Sequence, residues 1–328
     1  MQLLAADIGG TKTVLSLVER NADGISVTRE ERFDSSAHAD FTSLARTFLQ
    51  GAQPCAACFA VAGPVQSTPE GEHCSVTNLP WRLDRHALAA SLAIGRVKLI
   101  NDFQAVGYGI EHLDSKDLLT LQSGQPQTQG VRAVIGAGTG LGQAVLVWSG
   151  QRYEVISTEG GHTDFAPSSE LEVELWRWLN RRYEHVSYER IVSGMGIENI
   201  YTFLRERNPE QESEELKTVL ATTKDIAATL AGWTQRDALA RQTFDLFAKM
   251  FGAQAGNLAL MTLPQNGLFI AGGIAAKNLD LMQTGGFLQA FRNKGRMTRL
   301  MESIPVHLIT HPNVGLLGAT HQAAFLCA

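Results

Sequence analysis

At 328 residues, 44% hydrophobic and 19% charged, the chain can bury one large core or two ordinary ones and lacks the signature of disorder. A net charge of −5 disfavours a nucleic-acid surface, and no run approaches the roughly 18 apolar residues of a membrane span. The N-terminus has no basic region and meets Asp7 at once, so a cytoplasmic chain with neither nucleic-acid nor membrane partner is expected.

Residues 3–8 form an apolar run, Gly9-Gly10 a turn, and residues 12–18 a second strand pattern. An ordinary hairpin explains this stretch. So does a phosphate and magnesium site, because bare backbone N–H groups stand beside a carboxylate (Asp7) and a hydroxyl (Thr11). A third strand is expected over 24–33, with Ile25, Val27 and Phe33 pointing inward. Phe41, Leu44, Ala45, Phe48 and Leu49 then recur at helical spacing. Residues 58–65 read as a buried strand ended by Gly63-Pro64, so the hairpin leads into a β–α–β unit of a mixed sheet. Of the four cysteines, Cys55 and Cys58 have C-x-x-C spacing without a second pair, and burial of Cys58 in that strand is the simpler reading.

Residues 78–81 are a loop, Asp84 is placed to cap a helix carrying Leu88 and Leu92, and 97–100 is a short strand. Asn101-Asp102 stands where that strand ends and a helix over 103–113 begins, the position at which ligand chemistry collects in α/β sheets. Either residue could instead be an N-cap; Asn101 can cap while Asp102 points elsewhere. Residues 131–148 repeat the opening pattern of strand, glycine loop (Gly136-Ala-Gly-Thr-Gly-Leu-Gly142) and strand, which implies an internal structural repeat. Glu159-Gly-Gly-His162 is a loop whose two glycines suggest backbone close to a ligand.

Helices are expected over 169–183, 197–207 and 236–261, the last with a core stripe of Leu239, Thr243, Leu246, Phe247, Met250 and Phe251. Residues 208–215 read as an exposed turn. Residues 267–274 form a strand breaking into a third glycine turn at Gly272-Gly273, 305–309 a further strand, and a terminal helix opens near Gly315.

Neither common nucleotide fingerprint fits. A Walker A loop enters a helix, whereas a strand pattern follows Thr11-Lys12-Thr13. A G-x-G-x-x-G reading of the second loop needs glycine at 141 or 143, which are Leu and Gln. What remains is a phosphate held between two hairpin turns, an arrangement that resembles the actin, heat-shock ATPase and sugar kinase superfamily. Within it the chain resembles the bacterial glucokinase family. The resemblance rests on Asp7-Ile-Gly-Gly-Thr11, Val61-Ala-Gly-Pro-Val65, Thr77-Asn-Leu-Pro-Trp81, Ile100-Asn-Asp-Phe103, the Gly136–Gly142 loop, Glu159-Gly-Gly-His-Thr-Asp-Phe-Ala-Pro167, Ser187-Tyr-Glu-Arg-Ile-Val-Ser-Gly194, Ile270-Ala-Gly-Gly-Ile274 and Gly315-Leu-Leu-Gly318.

The resemblance implies a two-domain α/β fold of actin-like, ribonuclease H-like architecture, with residues 1–109 and 312–328 forming a small discontinuous domain and 110–311 a large one. It implies phosphoryl transfer from ATP to the 6-hydroxyl of glucose, with Asp102 as base and domain closure expelling water. Asn78, Asn101, Asp102, Glu159, His162 and Glu189 resemble the sugar-binding set; alone, Glu189 reads as a helix-surface charge and His162 as a structural histidine. Asp7, Ile8, Gly9, Gly10, Thr11 and Lys12 would face the ATP phosphates and their transient magnesium, Gly138, Thr139 and Gly140 would clamp them, and Gly272 and Gly273 would lie near the adenosine. Lys12 stands where many close relatives carry Asn. The wider repressor–kinase group carries a zinc cluster, but no cysteine lies between Cys74 and Cys327, so no zinc is expected. Nor is a DNA-binding module expected ahead of the turn. A homodimer is implied by the resemblance. Alternatives are a kinase for another hexose or amino sugar, a catalytically silent sugar sensor, and an actin-like ATPase.

Overall fold

The computed structural model describes residues 1–22, 24–284 and 286–327; Ala328, where the expected small domain ends, lies outside them. In chain order the first elements are β1 (Gln2–Ile8), β2 (Lys12–Asn21), β3 (Gly24–Asp34), α1 (Phe41–Leu49), β4 (Ala56–Val61), β5 (Gln66–Thr68), β6 (Gly71–Ser75) and β7 (Arg82–Asp84). Then come α2 (Arg85–Leu92), β8 (Arg96–Asn101), α3 (Asp102–Gly109), β9 (Leu118–Gln122), β10 (Arg132–Ala137), β11 (Leu141–Trp148), β12 (Tyr153–Thr158) and α4 (Glu170–Asn180). The remainder is largely helical: α5 (Gly194–Arg207), α6 (Glu214–Leu220), α7 (Ile226–Trp233), α8 (Ala238–Thr262), α9 (Gly273–Lys277), α10 (Leu279–Gln283), α11 (Gly286–Arg292), α12 (Thr298–Ser303) and α13 (Val314–Phe325), with strands β13 (Leu268–Ala271) and β14 (Val306–Ile309). These group into two compact units, Met1–Asp117 with Gln151–Ser157 and His311–Ala328, and Leu118–Gly150 with Thr158–Thr310.

The first unit is built on a sheet of order β3-β2-β1-β4-β8. β1 and β2 form an antiparallel hairpin, while β1, β4 and β8 run parallel with Ile8, Val61 and Asn101 in one register row. Every residue of β4 is buried, because helices cover both faces and a parallel strand must then be apolar throughout. Phe41, Leu44 and Phe48 of α1 and Leu88 of α2 pack on one face; α13 packs against β1, β4 and α3 on the other. The segment 151–157 belongs here because Gln104 Nε2 donates to the Val155 carbonyl at 2.9 Å and the Arg152 guanidinium lies 3.7 Å from the centre of the Phe325 ring.

One inward assignment fails. Val27 is 60% exposed, because β3 is an edge strand and a bulge opposite Leu17 and Val18 pairs Leu17 with Arg29 but Val18 with Val27. The extra residue, Thr28, shifts the alternation and turns Val27 to the outer face.

In the second unit strands lie in the order β11-β10-β13-β14-β9. β10 and β11 form an antiparallel hairpin and β10, β13 and β14 run parallel, so the expected repeat is present in topology. Its core is the buried α8 stripe: Leu239, Thr243, Leu246, Phe247, Met250 and Phe251 are all buried, and Phe251 meets Phe287 of α11 edge to face. The stretch 208–215 is less loose than its composition suggests. A 3₁₀ turn spans Pro209–Gln211, and Ser213 caps α6 by accepting from the Leu216 N–H. α5 also starts earlier than expected, at Gly194, because Ser193 caps it through the Gly196 N–H. Among the described residues no helix is long and apolar enough to cross a membrane.

Helices α3 and α13 cross at backbone contact, where a Cβ on Gly318 would fall inside the Ala105 carbonyl oxygen. Replacing Gly318 with Ala should therefore destabilise the protein by about 1–3 kcal/mol, the cost of overpacking a tight contact. A denaturant midpoint equal to that of the parent would contradict this crossing.

Candidate active site

The carboxyl edge of the parallel strands gathers the first unit's candidate residues. Because Ile8, Val61 and Asn101 are in register, the turn after β1, the Gly63 loop and the start of α3 emerge side by side. The Gly9 N–H donates to the Lys12 carbonyl at 2.9 Å, closing the turn. Two exposed positions, Thr11 and Lys12, lie at its tip. Asn78 is also exposed, in left-handed backbone at φ 63°, and its loop lies against Gly10.

Asn101 is the N-cap of α3: its Oδ1 accepts from the Phe103 and Gln104 N–H groups at 2.9 and 3.2 Å, and its Nδ2 donates to the Gly63 carbonyl at 3.1 Å. Asp102, half-buried, also accepts from the Phe103 N–H at 2.9 Å. Asn101 is thus the cap, as one of the two readings had it, but Asp102 also turns one oxygen back to the helix start rather than pointing wholly elsewhere. A Cβ placed on Gly315, in the first turn of α13, would lie 3.9 Å from both Asp7 Oδ2 and the Asp102 carbonyl. The start of α13 thus stands beside the Asp7 carboxyl and the Asp102 backbone, and its N-terminal dipole favours negative charge on Asp7.

Burial pushes the Asp7 carboxyl above the usual carboxylate range, and the Lys12 ammonium offsets only part of that. A divalent cation beside Asp7 would supply the counter-charge that favours its ionised form. Burial, with the Asp102 charge as second cause, pushes the Cys74 thiol up to about 11, so Cys74 is inert packing. Cys58 is buried as expected, and Cys55 pairs in space with Cys327, Sγ to Sγ 3.1 Å, both thiols free.

The second unit repeats the edge. β10 and β13 run in register up to Gly136 and Ala271, bringing the loop holding Gly138, Thr139 and Gly140 beside Gly272, which has φ 93°. Gly272 is the only residue of the expected third turn outside helix, because α9 begins at Gly273. The Gly138 N–H donates to the Gly140 carbonyl at 2.9 Å, and the Gly194 N–H to the Gly138 carbonyl at 2.8 Å. Glu189 is not a helix-surface charge. It lies half-buried on a 3₁₀ turn, and its Oε2 accepts from the Leu141 N–H at 2.9 Å, so the carboxylate holds the glycine loop.

Glu159 precedes a 3₁₀ turn over Gly160–His162, and it and His162 are exposed, with Oε2 and Nε2 3.9 Å apart. The glycines between them have a different cause from the one expected. A Cβ on Gly161 would overlap the Leu141 carbonyl, and one on Gly160 the Gln143 side chain. The close approach is to β11 of the same unit.

Two supporting residues escape a reading by motif. Buried Ser35 donates through Oγ to the Gly9 carbonyl at 2.8 Å and through its N–H to the Thr11 carbonyl at 3.1 Å, fixing the first glycine turn. Ser193 donates to the Glu189 carbonyl at 2.7 Å while capping α5. Ser193 stands three residues before the N–H it caps, a spacing that a search for serine caps would find; nothing local marks Ser35, whose partners lie more than twenty residues upstream.

Residues 4–325 match the glucokinase family. A glucokinase from Trichormus variabilis is 47% identical, the match covering 99% of this chain and 99% of that protein. The crystal structure of a glucokinase from an Antarctic psychrotroph has a TM-score of 0.82 at 30% identity, covering 99% of each chain. That of a glucokinase from Balamuthia mandrillaris in complex with glucose has a TM-score of 0.81 at 24% identity, over 98% of this chain and 93% of the other, a likeness of fold.

The Asp7 shift carries a stability consequence. A carboxyl raised in the folded state contributes stability below its unfolded pKa, lost as pH rises through the folded value. Asp7→Asn should then raise the thermal midpoint at neutral pH, with the gap closing as pH falls below the ordinary carboxylate range. A lower midpoint at neutral pH would show that the ionised Asp7 stabilises the fold.

Proposed function

The chain belongs to the glucokinase family, and from that premise we propose that it transfers the γ-phosphoryl group of ATP to the 6-hydroxyl of D-glucose, giving glucose 6-phosphate and ADP. The observation that carries this reading is the family match across residues 4–325. The positions of Asp7 and Asp102 at one sheet edge support it.

In the proposed step the Asp102 carboxylate takes the proton from the sugar 6-hydroxyl. The oxygen–γ-phosphorus bond forms as the bond from γ-phosphorus to the ADP oxygen breaks. The transition state is loose, so positioning and charge neutralisation matter more than a strong nucleophile. Asn101 has its side-chain oxygen accepting twice and its nitrogen donating once, so its main part is to hold Asp102 and the Gly63 loop in place. Asn78, Glu159, His162 and Glu189 complete the sugar set. Polar groups that a bound sugar covers reject an analogue lacking one hydroxyl, because a covered partner is then left unpaired. Glu189 joins sugar and phosphate functions, since its other oxygen can accept from a sugar hydroxyl while Oε2 holds Leu141.

Ile8, Gly9, Gly10, Thr11 and Lys12 would face the ATP phosphates, with Lys12 adding an ammonium and the Gly9 N–H kept for the Lys12 carbonyl that closes the turn. Gly138, Thr139 and Gly140 would serve the same phosphates, and Gly272 and Gly273 the adenosine. Asp7, with Thr11, would hold a magnesium ion arriving with the nucleotide, whose chemistry is to neutralise charge on the phosphate oxygens. The domains of this reading are residues 1–109 with 312–328, and 110–311. Family membership is also the ground for proposing a cytoplasmic homodimer at the entry step of glycolysis.

Asp102→Asn should lower kcat by roughly 10²- to 10⁴-fold, the range for loss of a general base, with glucose KM within a few-fold of the parent. Near-normal turnover would remove Asp102 from this role. Chelation with EDTA should abolish turnover in a coupled ADP-release assay, and added magnesium but not zinc should restore it; activity surviving chelation would count against the magnesium assignment.

A further inference from the structure

The second unit contains an open cavity of about 1100 Å³, bordered by α8, α11 and the segment after it, and touching none of the glycine loops. Lys249, Arg292 and Lys294 line it, and among the described residues no Asp or Glu does. Lys249 is neutralised from behind, its Nζ 2.8 Å from Oε1 of buried Glu172. Burial alone would raise the Glu172 carboxyl, but Lys249 and the Ser168 donors outweigh it and hold it below the usual range, so this pair stays ionised. The other two cations bond to neutral acceptors. Arg292 Nε donates to Gln122 Oε1 at 2.5 Å, and Lys294 Nζ to the Ala253 carbonyl at 2.9 Å and Asn257 Oδ1 at 2.7 Å. The cavity wall thus carries two positive charges in excess.

The same wall is connected to both segments assigned to the sugar. Asn257 Nδ2 donates to the Tyr188 hydroxyl at 3.1 Å and to Gln254 Oε1 at 3.2 Å. Tyr188 precedes Glu189. Gln254 Nε2 in turn donates to the Gly160 carbonyl and Thr163 Oγ1, each at 3.4 Å, within the turn that carries Glu159 and His162. Asn257 accepts from Lys294 and donates to both Tyr188 and Gln254, so it links the cation to both branches.

We propose that this cavity binds a small phosphate monoester on Arg292 and Lys294, and that its occupancy alters sugar affinity through Asn257, Gln254 and Tyr188. A phosphate monoester is close to a dianion at neutral pH, which matches two uncompensated cations, and Arg292 offers a planar fork for its oxygens. Thr298, Thr284 and Ser168 also line it; their hydroxyls already donate to Gly295, Asp280 and Glu172, so they can accept from a hydroxylated stem. Burial lowers the Lys294 pKa, so an incoming anion also relieves a desolvated charge. The affinity effect rests on the glucokinase reading; the binding does not.

The test is calorimetric titration of the full chain with glycerol 3-phosphate, glycerol serving as the uncharged control and saturating ATP occupying the nucleotide site. Saturable binding is expected for the ester alone. It should weaken at least about tenfold in Arg292→Gln, the worth of one charge-assisted hydrogen bond. The same loss is expected in Thr298→Glu, which adds a negative charge at the cavity wall and keeps the test open if the first variant does not fold. With no ester present, Arg292→Gln should keep the parent's kcat and glucose KM. Adding the ester should shift glucose KM at least about twofold in the parent and not in the variant. No binding, binding abolished by ATP, or binding as tight as the parent's in both variants would overturn the site. Binding with an unmoved glucose KM would overturn the coupling. A parent that binds the ester but never phosphorylates glucose would overturn the glucokinase reading and leave the site standing.

Discussion

The constraint on which the rest depends is the shared ending of three parallel strands. A hydrogen-bonded ladder buried on both faces cannot slip by one residue without turning every side chain around. The row through Ile8, Val61 and Asn101 therefore fixes where the first glycine turn, the Gly63 loop and α3 begin. Everything chemical in this unit is hung from that row. Ser35 ties down the turn by two of its carbonyls, Asn101 ties α3 to the Gly63 carbonyl, and α13 brings its positive end to the Asp7 carboxyl. Asp7 is held at a cost in charge burial.

The second unit applies the same topology to different ends. Its hairpin loop is held from below by Gly194 and from the side by Glu189, so a residue assigned to the sugar also shapes the loop assigned to phosphate. On this account sugar and phosphate recognition share parts, and a change at Glu189 would be felt by both. The mixed α/β fold is that of the sugar kinases of the actin-like superfamily, a likeness that extends over nearly the whole chain.

Much of this was legible in the residues. The strand–glycine–strand pattern at 3–18 and again at 131–148 exposed the repeat, and Asn101-Asp102 was readable as a strand-to-helix junction because polar caps interrupt apolar periodicity there. The α8 stripe was equally plain, since 25 residues give a period many chances to show. Less was visible where length or distance defeated the pattern. Helices α6, α7 and α9 to α12 run for eight residues or fewer, too short for a stripe to stand out. Val27 was misplaced because a bulge leaves no mark in the alternation it disrupts. The glycines at 160 and 161 pointed to a close approach, but one sequence could not say that the neighbour would be β11. Ser35 and Asn257 act through residues far from them in the chain, and composition carries no trace of such partners.

The central claim is that nucleotide cleavage in this chain is coupled to a sugar hydroxyl, and ADP release measured across acceptors tests it most directly. With glucose, mannose, fructose, glucosamine and no sugar offered in turn, ADP release should depend on the sugar and show its highest kcat/KM with glucose. Release that proceeds equally without sugar, or silence with glucose that nevertheless binds, would contradict it.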